Sequence, residues 1–181
     1  MLPANLVLYF FPFSSYPTNL IDHAKSFEKY SVFPTMSYNV INGFPKTIEK
    51  YDFQIITLHY SLFNHEYYPL SDRWLEYLQN SQNSLKIAFC QDEQHEPQRR
   101  DKFMKKYKIK IIFTCLNKKY YQIVYPLCFR DVEFVTSLPG YVGSSILDLS
   151  QKHCLIPIQR RPIDIGYRAR EIPAVWGQGA L

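Results

Sequence analysis

Glycine, long apolar runs and targeting signals are scarce or missing in this sequence. Only 6 of its 181 residues are glycine, and neither Gly-x-Gly-x-x-Gly nor Gly-Lys-Ser/Thr occurs, so nothing supports a dinucleotide fingerprint or a P-loop. No apolar run is long enough to span a bilayer, and the apolar amino terminus has no positively charged region or small-residue cleavage site. These absences predict a cytoplasmic protein and leave peripheral contact with an inner membrane open.

Cysteine pairs at metal-binding spacing are also missing. The four cysteines, Cys90, Cys115, Cys128 and Cys154, are far apart in the chain and include no Cys-x-x-Cys pair. No His-x-x-x-His pair supports zinc. Cys90 and Cys115 each end an apolar run, which predicts buried free thiols in a reducing compartment. The sequence therefore predicts no metal and no bound cofactor.

Charge is modest in amount and uneven in distribution. The chain carries 21 basic and 16 acidic residues, a formal net charge of +5, and much of the basic excess lies within 99–110 and 160–170. Such an excess suits a nucleic acid, an anionic membrane surface or a nucleotide diphosphate equally well. A solvated helix face explains the first basic segment more simply, and we predict no nucleic-acid partner.

Aromatic residues are abundant, at 17% of the chain with 15 Tyr and 13 Phe. An AT-rich genome would supply them wherever they are tolerated. Exposed aromatic rings are also favoured at partner surfaces and in sugar-stacking grooves. The composition alone leaves both explanations open.

Short apolar strands alternate with amphipathic helices over most of the chain. The strand candidates are 5–11, 53–58, 85–90, 109–113 and 134–136, with a weaker, edge-like candidate at 32–40 that Pro34 interrupts. This rhythm predicts an α/β fold, a three-layer Rossmann-like (flavodoxin-like) sandwich with a mainly parallel sheet. The composition changes after Lys152, so we predict one domain over 1–154 and, over 155–181, a linker with the first strand of a second, truncated domain.

Polar side chains follow two central strands of the predicted sheet. They are His59, Tyr60 and Ser61 after the strand at 53–58, and Gln91, Asp92 and Glu93 after the strand at 85–90. In open α/β sheets, ligands bind outside the carboxyl ends of the strands. Histidine is the usual proton shuttle near neutral pH, and one of the two acids can serve as a general base or bind a sugar hydroxyl. A histidine bonded to a backbone carbonyl, and acids that merely begin a helix, are the competing interpretations.

Two later segments contain residues that can bind anions. The loop at 137–145 places glycines and hydroxyls before a predicted helix, where backbone amides can contact an anion, although a plain turn explains it better. The segment at 160–170 is rich in arginine, whose planar fork binds two diphosphate oxygens at once. A basic linker between domains would explain the charge of this second segment as well.

Four segments occur in an order that resembles a known family. They are Ile-Thr-Leu-His-Tyr-Ser at 56–61, Ala-Phe-Cys-Gln-Asp-Glu at 88–93, Leu-Pro-Gly-Tyr-Val at 138–142 and Arg-Pro-Ile-Asp-Ile-Gly-Tyr-Arg at 161–168. From about Tyr51 onward the chain resembles the amino-terminal half of bacterial GT-B-type glycosyltransferases. These enzymes are related to the spore-maturation glycosyltransferases and are associated with surface-polysaccharide synthesis.

The resemblance implies two Rossmann-like domains that face a cleft, the first for the acceptor and the second for a nucleotide-sugar donor, with no metal needed. His59, Asp92 and Glu93 are then the implied catalytic residues, one of them as the base. The implied substrate-binding residues are Tyr60, Ser61, Gln91, Gly140, Tyr141, Arg161, Asp164, Tyr167 and Arg168.

The chain departs from this pattern at its carboxyl end. It stops at Leu181, soon after a second sheet would begin. We therefore expect sugar transfer to a glycan or lipid-linked acceptor to require a donor domain or a split-enzyme partner, and we expect the chain alone to be inactive. The alternative function is a non-catalytic α/β interaction module that binds a protein or glycan partner.

Overall fold

The computed structural model describes residues 3–12, 18–63, 68–138, 141–152 and 157–160. The chain divides into two compact units, Met1–Gly143 and Ser144–Leu181. The strands described in the first unit are β1 Asn5–Tyr9, β2 Thr35–Asn39, β3 Ile55–Leu58, β4 Leu85–Phe89, β5 Ile111–Thr114 and β6 Glu133–Thr136. The α-helices described there are α1 Thr18–Tyr30, α2 Asp72–Asn80, α3 Pro97–Lys106 and α4 Tyr121–Val124.

In the second unit the structure describes the helix α5, Ser144–Lys152, and a 3-10 turn, Ile158–Arg160. The strand that the sequence predicts around Ile163 lies outside the described residues, and the predicted boundary at 154/155 stays a prediction. None of the helices within the described ranges is long and apolar enough to cross a membrane.

The six strands form one sheet in the order β2-β1-β3-β4-β5-β6, and every neighbouring pair is parallel. The α/β, three-layer Rossmann-like fold predicted from the sequence is confirmed. The candidate strand that Pro34 interrupts is indeed an edge strand, β2. After β1 the chain crosses to β2 on one side and then returns to β3 on the other, so the strand order reverses between β1 and β3. Ligands bind at this kind of switch point in open α/β sheets.

One face of the sheet forms the main apolar core. Alternate strand residues such as Leu8, Ile56 and Ile112 are buried there, because side chains one position apart point to opposite faces. Trp74 of α2 and Met104 of α3, both 0% exposed, pack into the same cluster. Burial of side chains of this size stabilises the fold by about 1.5–3 kcal/mol each.

The opposite face, where α1 contacts β1 and β2, is more polar. The Thr57 hydroxyl donates to Asn5 Oδ1 at 3.0 Å, and Asn5 Nδ2 donates to Thr35 Oγ1 at 3.4 Å. Asn5 and Thr57 are both almost fully buried. These polar groups bond to one another across three strands. The hydroxyl of Ser37 on β2, in contrast, is buried without a hydrogen-bond partner among the described residues.

Helix α3 differs from its sequence prediction in one respect. The pattern predicts its basic residues in water, but the Arg100 side chain is buried, at 1% exposure. Its neighbour Asp101 is also buried and accepts hydrogen bonds from the backbone N–H groups of Leu127, at 2.7 Å, and Cys128, at 3.0 Å. The prediction was wrong for Arg100 because α3 packs against the core on more than its apolar stripe.

The cysteine prediction is half correct. Cys90 and Cys128 are buried free thiols, whereas Cys115 is exposed. Cys115 directly follows Thr114, the inward-pointing last residue of β5, so its own side chain emerges beyond the strand. Burial raises the pKa of the Cys90 thiol to about 12.

Thiol labelling tests this arrangement. In a Cys154→Ser background, which removes the cysteine outside the described residues, we expect a maleimide to modify Cys115 in the native protein and to spare Cys90 and Cys128. Mass spectrometry of peptides after brief labelling at pH 8 measures the pattern. Labelling of Cys90 as fast as Cys115 would contradict the burial of Cys90. As a control, labelling in urea shows that each of the thiols reacts with the maleimide once the protein is unfolded.

Candidate functional site

The exits of β1 and β3 are joined by side chains at the switch point. Phe10, the residue after β1, donates its backbone N–H to Ser61 Oγ at 2.9 Å. Asn39, at the end of β2, accepts from the Phe11 N–H at 3.1 Å and donates to the Phe11 carbonyl at 2.9 Å. His59 continues the β1 ladder by donating its N–H to the Leu8 carbonyl at 2.9 Å. The carboxyl edge is therefore rigidly built at the place where ligands are expected.

His59 is the centre of this edge. Its ring is 0% exposed, and its Nδ1 lies 3.1 Å from the Ser61 N–H nitrogen and 2.8 Å from Ser61 Oγ. Its Nε2 lies 2.9 Å from Nδ1 of His23 on α1. His59 caps the 3-10 turn Tyr60–Leu62, which explains why the chain turns as soon as β3 ends. The result is a continuous polar network from the β1 backbone to α1.

Both histidines are held in their neutral form. Burial lowers the pKa of His59 well below its usual value, and the nearby His23 lowers it further. Burial also lowers the pKa of His23. Because the charged imidazole is disfavoured in both places, the pair is uncharged at neutral pH.

His23 is the member of this network that sequence reasoning missed. It lies on α1 next to the buried Ala24 and four residues before Phe27, within the stripe that the helical spacing assigns to the core. Its ring is half-buried and surrounded by aromatic neighbours, whose centroid distances are 5.2 Å for Tyr60, 5.8 Å for Phe89 and 6.4 Å for Tyr141. No motif marked His23, because only the packing of α1 on the sheet brings it to His59.

The two acids after β4 point in opposite directions, as the sequence predicts for adjacent residues. Asp92 is exposed and has a left-handed backbone with φ of 51°. Burial, with a contribution from the Asp92 carboxylate, raises the pKa of Tyr60 to about 12. Of the two acids, Asp92 is therefore the one that is open to solvent at this end of the sheet.

Glu93 instead points into the fold and is 3% exposed. Both its carboxylate oxygens lie 2.7 Å from the Thr114 hydroxyl, and the Tyr125 hydroxyl donates to Oε1 at 2.7 Å. Thr114 Oγ1 also accepts from the Leu116 N–H at 3.0 Å. Glu93 thus ties the exits of β4 and β5 to the end of α4.

The structure brings part of the sequence-predicted site together. His59, Tyr60 and Ser61 share the edge with His23, but all three are buried, at 0%, 3% and 2% exposure, whereas Glu93 belongs to the interior network. Gln91 and Tyr141 are half-buried. Five further predicted residues lie outside the described part of the chain: Gly140, Arg161, Asp164, Tyr167 and Arg168.

Exposure separates the three residues that the sequence proposes as catalytic. His59 and Glu93 are sealed inside this structure, and Asp92 is open to solvent. The catalytic assignment stays a prediction for all three, but only Asp92 can touch a ligand directly in this geometry. His23, at the far end of the His59 network, supplies a second group that reaches the edge.

The described residues contain no cluster of three His, Cys, Asp or Glu side chains that could hold a metal ion. The chemistry at this edge consists of a neutral histidine pair, an exposed carboxylate and aromatic rings, a combination that can bind and orient a ring-shaped polar ligand. Comparisons of the chain with family models, with curated proteins and with solved structures found no match.

Proposed function

We propose that this chain binds a sugar at the carboxyl edge of its sheet, as the acceptor-binding half of a GT-B-type glycosyltransferase. The observation that carries the proposal is the network of Ser61, His59 and His23 at the switch point. Sheet pairing alone does not require a buried histidine hydrogen-bonded to a second, half-buried histidine there. The order of the four family-like segments supports the choice of a sugar acceptor.

The aromatic residues support the same ligand. Tyr60, Phe89 and Tyr141 lie around His23. Tyr60 is buried, whereas Phe89 and Tyr141 are half-buried and can present part of a ring to a ligand. An aromatic face packs well against the apolar face of a pyranose, while the sugar hydroxyls bond to neighbouring polar groups.

In the proposed reaction, a hydroxyl oxygen of the acceptor attacks the anomeric carbon of a nucleotide-sugar. The new carbon–oxygen bond forms as the bond from that carbon to the diphosphate breaks, and the nucleoside diphosphate leaves with the electron pair. The hydroxyl proton passes to Asp92, the exposed carboxylate at the edge. The donor is held by a second domain or a split-enzyme partner, whose basic groups and helix dipoles stabilise the leaving group.

A ligand titration followed by protein NMR tests the proposal. With a panel of methyl glycosides of glucose, galactose, mannose and N-acetylglucosamine, we expect shifts in the backbone amides of 8–11, 59–61 and 89–92. An Asp92→Asn variant should bind with similar affinity, since its role is proton transfer, and a Lys102→Ala variant on the exposed side of α3 is the matched control. Absence of shifts at this edge for every glycoside would overturn the proposal.

A groove away from the carboxyl edge supports the alternative function, that of an interaction module. Ile123 and Leu127 flank a groove between α3 and α4 and are 73% and 51% exposed. Large apolar side chains in a groove are typical of protein-binding surfaces. A module of this kind would leave the edge amides unmoved in the glycoside titration, so the same experiment separates the two functions.

A further inference from the structure

We infer that the network fixes His23 as the Nε2–H tautomer, so that His23 binds a ligand oxygen as a hydrogen-bond donor and is not a general base. The tautomer follows from the network alone. The identity of the bound atom rests on the proposed function. His59 and Ser61 are positioning residues in this scheme, because they act on the ligand only through His23.

The first step concerns His59. The Ser61 backbone N–H can only donate, and it points at His59 Nδ1 from 3.1 Å. Ser61 Oγ accepts the Phe10 N–H at 2.9 Å, which leaves its own hydroxyl hydrogen for the same Nδ1 at 2.8 Å. Nδ1 of His59 must therefore carry a lone pair, and the single proton of the neutral ring resides on Nε2.

The second step concerns His23 on α1. The His59 Nε2–H faces His23 Nδ1 at 2.9 Å, so Nδ1 accepts and the proton of neutral His23 resides on Nε2. The reverse arrangement would place a proton on His59 Nδ1, directly opposite the Ser61 N–H. A backbone N–H cannot reverse its direction, so it decides the tautomers of both rings.

The third step concerns the free end of the network. His23 Nε2 has no hydrogen-bond partner among the residues that the structure describes, and its ring is half-buried among aromatic neighbours. A half-buried N–H requires an acceptor oxygen. Water can supply it in the free protein, and a hydroxyl, ring or carbonyl oxygen supplies it in a complex.

Ligand chemistry follows from this geometry. At His23 Nε2 a ligand meets an N–H donor, so the atom bound there is an acceptor such as a hydroxyl, ring or carbonyl oxygen. A hydroxyl held by His23 cannot pass its proton to that histidine, because the other ring nitrogen already accepts the His59 N–H. In this scheme the proton of the ligand hydroxyl passes to Asp92, and His23 only binds the ligand.

Long-range proton–nitrogen NMR of the imidazole rings tests the tautomer in the free, full chain. We expect the wild-type protein at pH 7.5 to show the Nε2–H pattern for both His23 and His59. His59→Gln keeps an N–H donor near the position of Nε2 and should preserve this pattern at His23, whereas His59→Leu should mix the His23 tautomers. An Nδ1–H pattern at His23 in the wild type overturns the inference, even if neither variant folds.

A binding measurement tests the second half of the inference. His23→Phe keeps a flat ring and removes the donor, so we expect the affinity for the best methyl glycoside to fall about tenfold. Undiminished glycoside binding by His23→Phe would overturn the donor role and leave the proposed function standing. Correct tautomers with no glycoside bound would overturn the proposed function and leave the tautomer assignment standing.

Discussion

Replacing Glu93 by alanine is expected to lower the free energy of unfolding by roughly 2–3 kcal/mol, because it leaves two buried hydroxyl groups without an acceptor. The carboxylate satisfies the hydroxyls of Thr114 and Tyr125 inside the fold. Glu93 is also one of the groups that favour the protonated guanidinium of Arg100, which is buried, donates to the Phe63 carbonyl at 3.4 Å and has no partner for Nε or Nη1 in the described part of the chain. Urea unfolding monitored by circular dichroism measures the change.

Two control variants isolate the cause. Glu76→Ala removes an acid whose side chain is 56% exposed and which pairs with Arg73, so we expect a loss of at most about 1 kcal/mol. Glu93→Gln keeps an acceptor oxygen for Tyr125 but removes the charge, and its loss should lie between the other two. Equal effects of Glu93→Ala and Glu76→Ala would mean that the interior network does not stabilise the fold.

Lowering the pH is expected to lower the free energy of unfolding, because protonation of the histidine pair is disfavoured in the folded chain. The effect falls in a pH range in which few carboxylates titrate. Burial lowers the pKa of His59 well below its usual value in the folded chain. In the unfolded chain the same ring binds its proton near pH 6.5. The contribution of His59 to stability is therefore complete above pH 6.5 and falls as the pH drops toward the lowered, folded-state pKa. The expected slope is about 1.4 kcal/mol per pH unit, or roughly 2 kcal/mol between pH 6.5 and 5.

The same network explains the direction of this effect. A proton on His59 Nδ1 would face the Ser61 N–H, and a proton on His23 Nδ1 would face the His59 Nε2–H. Asp92, the exposed acid that follows β4, does not pair with either histidine among the described contacts. Urea unfolding at several pH values measures how the free energy of unfolding changes with pH. Subtracting the values for His59→Gln from those for the wild type removes the contribution of the carboxylates, which both proteins share. Equal slopes in the two proteins would contradict a buried neutral His59.

The division between buried and exposed groups has a consequence for the proposed chemistry. A base must reach the proton it removes, and His59 and Glu93 are enclosed by the fold. Asp92 is open because its left-handed backbone turns the chain outward after β4. Its neighbour Glu93 continues inward to Thr114. One dipeptide therefore supplies an accessible carboxylate to the edge and a structural carboxylate to the interior.

The predictable part of the fold is the part that depends on local patterns. The apolar run before Asp92 predicted β4, and the spacing of Leu70, Trp74 and Leu78 predicted α2. Asn117 was expected to cap a short helix through Val124, and it caps the 3-10 turn Lys118–Tyr120 that leads into α4. The parallel, doubly wound sheet followed from the alternation of these elements, since right-handed crossovers leave few other arrangements. Sequence reasoning also placed His59, Tyr60 and Asp92 at the carboxyl edge of the sheet, where the candidate site lies.

Burial of charged residues could not be predicted in the same way. Lys86 lies within a short strand and is 2% exposed, and its amine donates to the Ser81 carbonyl at 2.7 Å. Arg100 looks like any other basic residue of α3. The environment of Arg100 includes Phe63, which is distant in sequence, whereas the partner of Lys86 is only five residues away and its burial follows from the position of β4 inside the sheet.

The sequence by itself determined the element order, the fold class and the edge at which ligands are expected. These features depend on helical and strand periodicities, which are properties of residues close together in the chain. Only the tertiary structure decided that His23 meets His59, that Glu93 faces inward and that Asp92 faces outward. These outcomes depend on which side chains from α1, β5 and α4 meet at the strand exits, and hydrogen-bond direction and burial act between atoms that the chain separates by tens of residues.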